Sequence, residues 1–226
     1  MFDKQIHEQN MKKILNGIFC SKISDFLCFK WWTLTYFCYG LDRFSTDIDI
    51  DILDLEYEEK IIEIVRKILY QLWDIKNETL WKTLHRWIFR YDERSMYIKV
   101  ELNKRIRNSN TYNFQDFDGI KIRCMAPESI FANKLVALYE RFKNRDLYDV
   151  NFFLKNKFPI NDEIIVERTW KDIKELVNEL IELLPTHYQQ NNILAELWEV
   201  LTDSQKIWMK NRALEETIEL LMKMEN

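Results

Sequence analysis

The chain has 226 residues, of which 47% are hydrophobic and 31% charged, a balance typical of a globular protein that needs no disulfides to bury a core. Its 33 basic and 37 acidic side chains leave a net charge of −4, which gives no sign of a nucleic-acid clamp. The longest apolar region, residues 14–39, is interrupted by charges, and the N-terminus lacks a signal-peptide apolar segment. These features argue against a disordered or membrane-spanning chain and predict a cytoplasmic protein.

The predicted elements begin with helices over residues 4–29. Alternation of apolar and polar residues then predicts strands over 43–53, 87–91, 96–102 and 119–125, with a helix over 58–72. After Pro127 the apolar residues recur at the helical period of 3.6. The pattern predicts an α/β (α+β) domain with a small mixed sheet over residues 1–125 and an all-helical domain over residues 126–226.

The segment from Arg43 to Asp51, RFSTDIDID, is the most informative in the chain. Alternate side chains of a strand share a face, so Asp47, Asp49 and Asp51 are predicted to lie opposite three isoleucines. Three carboxylates on one face repel one another unless a cation or solvent receives them. The segment is therefore either the exposed face of an amphipathic strand or a set of hard oxygen ligands for Mg²⁺.

A second strand, YIKVELN over residues 97–103, places Glu101 between apolar neighbours. If this strand pairs with the first, about 4.8 Å away, Glu101 completes a three-carboxylate cluster. Taken alone, a single glutamate in a strand is a solvated residue, so its assignment depends on Asp47 and Asp49.

Residues 29–51, FKWWTLTYFCYGLDRFSTDIDID, resemble the opening motif of the AbiEii/AbiGii-type nucleotidyltransferase toxins, which belong to the DNA polymerase β-like nucleotidyltransferase superfamily. In that motif a Gly-Gly-Thr turn starts a short helix and an Arg-x-Ser-x-Asp-x-Asp strand follows. Residues 126–150, APESIFANKLVALYERFKNRDLYDV, resemble the family's lysine-bearing helix and its Arg-Asp-x-x-Asp motif. The resemblance thus runs in order across more than half of the chain.

The resemblance implies a nucleotidyltransferase domain in which Asp47 and Asp49 ligate Mg²⁺ and Glu101, the third metal carboxylate, helps to activate the attacking hydroxyl. Two metal ions would neutralise the triphosphate and align the acceptor. Arg43 and Ser45, expected on the same strand face as the aspartates, would contact phosphate.

Further nucleotide contacts are expected at the start of the short helix. Thr33 would lie at a helix N-terminus, which favours a triphosphate, and Trp31 and Trp32 stand where the family has its glycines.

The same resemblance places Lys134 and Asp149 among the catalytic residues and Arg145 among the nucleotide-binding ones. Lys134, Arg141 and Arg145 are spaced to share one edge of a helix, provided that the helix is continuous. The alternative for the last motif is an ordinary Arg145–Asp149 helix pair that contributes only a few tenths of a kcal/mol.

The chain departs from the family at Trp31 and Trp32. Only a residue without Cβ lets the backbone turn sharply and approach a pyrophosphate closely, and two indoles would fill the nucleotide site. Across the chain glycine occurs 3 times and tryptophan 8 times. Because UGA encodes tryptophan in some genetic codes and glycine in others, these two residues are hypothesised to be glycines in the source organism, with ordinary family divergence as the alternative.

Other candidate groups are weaker. The cysteines lack CxxC spacing and are predicted to be reduced and buried rather than zinc ligands, and the three histidines are scattered. The basic residues Lys104, Arg105 and Arg107 either contact an RNA backbone or form a solvated turn.

The sequence therefore predicts a Mg²⁺-dependent enzyme that transfers a nucleoside monophosphate from an NTP to an acceptor, with a tRNA 3′ end favoured. The resemblance implies a toxin of a toxin–antitoxin or phage-defence system with a cognate antitoxin protein. The alternative is a catalytically inactive relative, with Trp31-Trp32 in place of Gly-Gly, that acts as a binding protein.

Overall fold

The computed structural model describes residues 3–93, 95–105, 107–188 and 192–224. It divides into two compact units, the first comprising residues 1–108 and 112–125 and the second residues 109–111 and 126–226. No helix within these described ranges is both long and apolar enough to cross a membrane.

The first unit is built on a seven-stranded mixed sheet with strand order β3-β4-β5-β2-β1-β7-β6. Its strands are β1 (Leu27–Lys30), β2 (Asp47–Ile52), β3 (Ile75–Trp81), β4 (Leu84–Phe89), β5 (Ile98–Asn103), β6 (Tyr112–Phe117) and β7 (Ile120–Met125), and its helices are α1 (Lys4–Phe19), α2 (Trp31–Cys38) and α3 (Glu58–Leu72). Short 3₁₀ turns precede β1 and α3.

One face of this sheet is the core. Ile48 and Ile50 of β2, Val100 and Leu102 of β5 and Phe29 of β1 are completely buried. Helices α1 and α3 pack together, with Gly17 so close to Ile68 that a Cβ would lie 2.9 Å from its side chain. The polar residues that alternate with these apolar ones lie on the opposite face of the sheet, as the sequence predicts.

The predicted elements are largely confirmed, and the exceptions are the two edge strands, the central strand β1 and the element ends. Within residues 4–29, predicted to be helical, α1 ends at Phe19 and β1 starts at Leu27. Helix α3 has the expected bounds, whereas β1, β3 and β6 were not predicted. Strand β2 begins at Asp47 rather than at Arg43. Residues in β3 alternate poorly because this strand lies at the edge of the sheet and is partly exposed on both faces.

The second unit consists of helices α4 (Pro127–Arg141), α5 (Asn144–Lys155), α6 (Asp162–Thr169), α7 (Ile173–His187), α8 (Asp203–Asn211) and α9 (Ala213–Met224). Its core is formed by apolar stripes at helical spacing, including Leu135 and Leu138 of α4 and Leu180 and Leu184 of α7, all fully buried. Helix α5 packs on both α4 and α9.

All four cysteines are free thiols. Cys28 and Cys124 are buried as predicted, but Cys20 is exposed and Cys38 is only partly buried, so the expectation of four buried thiols is wrong at those two positions. Cys20 immediately follows α1 as its C-terminal cap, and the end of a surface helix faces solvent.

Candidate active site

The carboxylates singled out in the sequence lie on two neighbouring strands. Strands β2 and β5 pair in parallel, and their register places Asp49 beside Glu101 and Asp47 beside Lys99. This adjacency confirms the expected pairing of the two strands. Because paired residues of neighbouring strands share a face, Asp47, Asp49 and Glu101 all lie opposite the buried isoleucines.

Each of the flanking carboxylates contacts a cation that sequence analysis did not single out. Arg86 Nε donates to Glu101 Oε1 at 2.5 Å, and Lys99 Nζ lies 3.3 Å from Asp47 Oδ2. Lys30 Nζ lies 2.5 Å from Asp51 Oδ1, and both side chains are 5% exposed. Asp51 is therefore a buried ion-pair partner, the third acidic residue of β2 but not a free ligand.

Asp49 lies at the centre of the carboxylate row formed by Asp47, Asp49 and Glu101, and its pKa is well above the usual range. Burial, followed by repulsion from Glu101 and Asp47, raises the pKa of Asp49 to about 8, while Lys30 acts in the opposite direction. Two like charges beside a partly buried carboxylate disfavour its ionised form unless a further cation approaches. A further cation at Asp49 would therefore favour the ionised form of this carboxylate.

Hard carboxylate oxygens fit Mg²⁺, which binds through one or two carboxylates and retains several waters. Asp47 and Asp49 meet that requirement. Among the described residues, however, no three His, Cys, Asp or Glu side chains converge as a ready ligand set. Glu101 is held by Arg86, so it would have to release that guanidinium before it could act as a third carboxylate.

The start of α2 is tied to the start of β2 by hydroxyl groups. The Thr33 hydroxyl, in the first turn of α2, donates to the carbonyl of Asp47 and shares a second hydrogen bond with the Ser45 hydroxyl, Oγ1 to Oγ 2.9 Å. Thr33 and Ser45 are both buried. These bonds fix the N-terminus of α2 beside the carboxylate row, which is where the free N–H groups of a helix would favour phosphate.

The expectation that Arg43 and Ser45 share the strand face with the aspartates is wrong, because both precede β2. Arg43 is buried, donates from Nη1 to the carbonyl of Phe44 at 3.2 Å, and lies 5.5 Å from the ring of Trp32. The connection from α2 carries Gly40 at φ 77° and continues as irregular backbone up to Asp47, so a strand period does not apply there.

Trp31 has a backbone conformation that favours glycine. As the first residue of α2 it has φ 63°, in the left-handed region that costs an L residue roughly 1–2 kcal/mol. Its ring lies 5.6 Å from that of Trp32, and Lys30 Nζ lies 5.2 Å from its centroid. The backbone at this position is therefore the one that the family's glycine would adopt without strain.

Trp170 repeats this pattern in the second unit. It ends α6 with φ 60°, the left-handed position at a helix C-terminus where glycine is most common, and its side chain is 90% exposed. Other tryptophans have defined side-chain roles. Trp87 is fully buried and Trp208 Nε1 donates to Glu216 at 2.6 Å. Backbone geometry thus supports glycine at positions 31 and 170 and not at every tryptophan.

A second charged cluster lies within the helical unit. Lys134 Nζ, on α4, bonds to Asp146 and lies 3.1 Å from Asp149 Oδ2, both on α5, and the three side chains are at most 1% exposed. Arg141 Nε bonds to Asp146 Oδ2 at 2.6 Å. Burial opposes ionisation of Asp146, but Lys134 and Arg141 outweigh it and hold its pKa below the usual range. Sequence analysis missed Asp146, although it belongs to the quoted Arg-Asp-x-x-Asp motif.

The helix that was expected to align Lys134, Arg141 and Arg145 is interrupted. Phe142 adopts φ 47° and closes α4, and α5 starts at Asn144. Arg145 consequently faces Glu196, with Nη2 3.1 Å from its carboxylate, and the alternative of an Arg145–Asp149 pair is also wrong because Asp149 contacts Lys134. The break is what turns both α5 aspartates towards α4.

Replacing Lys134 by methionine should destabilise the second unit strongly. The change leaves Asp149 and Asp146 buried with less compensation, which costs about 3–5 kcal/mol of unfolding free energy at pH 7. A buried carboxylate that lacks its cation has a raised pKa, so the deficit grows as pH rises above roughly 3.9 and shrinks again in acid.

Urea unfolding at pH 7 and pH 4 measures this deficit. Lys143→Met, which removes an exposed lysine 3.5 Å from Glu196, is the matched control and should be nearly neutral. Wild-type stability of Lys134→Met at pH 7 would contradict a supporting role for this cluster.

The weaker candidates lie outside the carboxylate row and differ in their surroundings. Lys104 Nζ bonds to Glu58 at 2.7 Å, Arg105 is exposed, and Arg107 acts on Asp51 through its charge.

His7 is buried between the rings of Phe44 and Tyr91, and burial lowers its pKa to about 4.

Comparison with known proteins gives the family. A family model described as nucleotidyl transferase AbiEii toxin, type IV toxin–antitoxin system, matches residues 29–209, well over half of the chain. The chain belongs to the AbiEii family of nucleotidyltransferase toxins. The match includes both the carboxylate row of β2 and β5 and the charged cluster of α4 and α5.

Two solved structures from Helicobacter pylori are similar to this chain in fold. The crystal structure of JHP933 has a TM-score of 0.54 and 20% identity, over 100% of this chain and 97% of that one. A candidate nucleotidyltransferase from H. pylori has a TM-score of 0.55 and 20% identity, over 98% of this chain and 97% of that one. At this identity the likeness shows the fold alone. No curated protein sequence matches the chain.

Proposed function

We propose that this AbiEii-family enzyme transfers a nucleoside monophosphate from an NTP to the 3′ end of a tRNA in a Mg²⁺-dependent reaction. The observation that carries the proposal is the position of Asp49, flanked by Asp47 and Glu101 on one sheet face and raised in pKa to about 8. A carboxylate held in this way gains most from an added divalent cation.

In this proposal Asp47 and Asp49 would hold Mg²⁺, which when bound supplies positive charge to the triphosphate and to the developing transition state. Glu101 would accept the proton of the acceptor hydroxyl, once Arg86 has turned away from it. The hydroxyl oxygen forms a bond to the α-phosphorus of the NTP, the bond to the bridging oxygen breaks, and pyrophosphate leaves.

The remaining predicted residues bind the nucleotide or support the site. The α2 N-terminus at Thr33, with Ser45 and Arg43 close by in the chain, would receive phosphate oxygens. Arg145 is assigned to nucleotide binding, and Lys134 and Asp149 are assigned to catalysis on the family motif. Their burial supports a further role in holding α4 against α5.

A second candidate is an inactive relative that binds nucleotide, RNA or a protein partner. The observation that favours it is the pair Trp31-Trp32, since an indole at a left-handed backbone position occupies the place of the family's glycine. The experiment that separates the two candidates is transfer of label from each α-labelled NTP to bulk tRNA, with Mg²⁺ or with EDTA. Complete absence of Mg²⁺-dependent labelling, also in the form with glycine at positions 31 and 32, would reject the enzyme proposal.

Family membership implies a toxin with a cognate antitoxin, and this has a cellular consequence. Expression of the chain carrying Trp31→Gly and Trp32→Gly should arrest growth, and adding Asp47→Ala should relieve the arrest because a metal ligand is lost. Growth curves with protein levels matched by immunoblot measure the effect. A chain that is active in vitro, well expressed and harmless would leave the enzyme proposal standing and remove the toxin role.

A further inference from the structure

The sheet face that carries the carboxylate row extends to an exposed aromatic at the edge of the sheet. In strand register Asp49 lies beside Glu101, Glu101 beside Arg86, and Arg86 beside Thr79 of the edge strand β3. Trp81, two residues after Thr79, therefore lies on the same face. The sheet face of the proposed reaction centre therefore extends from β2 across β5 and β4 to the indole of Trp81 on β3.

Trp81 presents a partly exposed indole beside a guanidinium group. The Arg86 guanidinium carbon lies 4.8 Å from the Trp81 ring centroid, and the same guanidinium contacts Glu101 at 2.5 Å. Trp81 nevertheless remains 44% exposed. One cation thus links an open aromatic surface directly to the carboxylate assigned to the acceptor hydroxyl.

Two cations of this sheet face, each paired with a carboxylate of the row, remain partly open to solvent. Arg86, on β4 next to the edge strand, has a side chain that is 31% exposed, and Lys99, on β5 two strands from Trp81, has a side chain that is 40% exposed. Single-stranded RNA is bound by such combinations, in which bases stack on aromatic or guanidinium planes and cations meet the phosphates. An apolar protein ligand would gain little beside these charges.

We infer that Trp81 and Arg86 form the acceptor subsite, where an unpaired base next to the 3′ end of a single-stranded RNA stacks on the indole. This inference rests on the proposed function, because it places the acceptor hydroxyl beside Glu101. Trp81 is a positioning residue that holds the strand and takes no part in proton transfer.

Binding of a fluorescein-labelled oligoribonucleotide of about 12 nucleotides, measured by anisotropy without NTP, tests the inference. Trp81→Ala should weaken binding about tenfold or more, because stacking on an aromatic side chain is lost. Trp81→Leu should weaken it similarly while filling the space, and Trp81→Phe should retain most of the affinity. A blunt RNA duplex, which offers no unpaired base, should show no such dependence.

Leu80→Ala is the matched control. Leu80 precedes Trp81 on β3, is 61% exposed, and lies on the opposite face of the sheet, so its removal should leave binding unchanged. Phe114 is a second exposed aromatic, on the opposite edge strand β6. Unchanged binding by Trp81→Ala, an equal loss with Leu80→Ala, or a loss with Phe114→Ala alone would overturn the inference.

The outcomes also separate this inference from the proposed function. Nucleotide transfer that proceeds with Trp81→Ala at the wild-type KM for RNA would keep the enzyme and remove the subsite. Trp81-dependent RNA binding without transfer of any nucleotide would keep the RNA surface and reject the enzyme proposal.

Discussion

Asp49→Asn should reduce Mg²⁺-dependent nucleotide transfer by about a hundredfold or more while leaving the fold intact. The substitution keeps the size of the side chain but removes the negative charge that Asp49, between Asp47 and Glu101, would carry with Mg²⁺ bound. Loss of a few kcal/mol of metal-mediated charge stabilisation corresponds to this factor. Labelled NTPs and bulk tRNA, with the glycine form at positions 31 and 32 as parent, give the measurement.

The same variant has a second readout that does not need turnover. Because burial and repulsion disfavour the charged form of Asp49, the amide should be as stable as wild type in EDTA. Mg²⁺ should then raise the melting temperature of wild type but not of Asp49→Asn, since a ligand stabilises only a folded state that binds it.

Asp118→Asn is the matched control for this prediction. Asp118 is exposed, lies in a turn with φ 49° that asparagine tolerates well, and makes one long contact of 3.8 Å with Lys12. The substitution makes the same change, from a carboxylate to an amide, at a position outside the carboxylate row. Equal transfer by Asp49→Asn and wild type would reject the assignment of the metal ligands.

The double change Trp31→Gly, Trp32→Gly should raise NTP affinity at least tenfold, about 1.4 kcal/mol. Glycine at position 31 adopts φ 63° without strain, and removal of both indoles opens the first turn of α2 to the triphosphate. Calorimetric titration with each NTP in Mg²⁺ measures the change.

Trp170→Gly distinguishes a nucleotide effect from a backbone effect. It also replaces an indole at a left-handed position, here at the C-terminus of α6, and should stabilise the chain by roughly 1 kcal/mol without any change in NTP affinity. Position 170 is the C-terminal cap of α6 and lies outside the helix interior. If the chain with Trp31 and Trp32 binds NTP as tightly as the double-glycine form, the indoles do not obstruct the phosphate site.

The codons at positions 31 and 32 provide an independent test of the recoding hypothesis. UGA at these positions, and at 170, would agree with the left-handed backbone at Trp31 and Trp170. UGG at both motif positions would reject recoding, and the inactive relative would then become the better supported function.

The sequence by itself determined the elements whose pattern is set by local periodicity. Alternating Asp and Ile in β2 forces the carboxylates onto one face, because an isoleucine face is buried wherever a sheet packs on helices. The bounds of α3 followed from its 3.6-residue stripe. The sequence left the pairing of β2 with β5 as a condition, because it showed only that both strands carry acidic residues.

The tertiary structure decided which cations meet these carboxylates. Lys30 reaches Asp51 and Arg86 reaches Glu101 because β1 and β4 flank β2 and β5 in a sheet order that differs from chain order. Likewise Asp149 faces Lys134 only because Phe142 breaks the helix between them. Such contacts join residues far apart in sequence, and long-range packing, which no local period encodes, selects them.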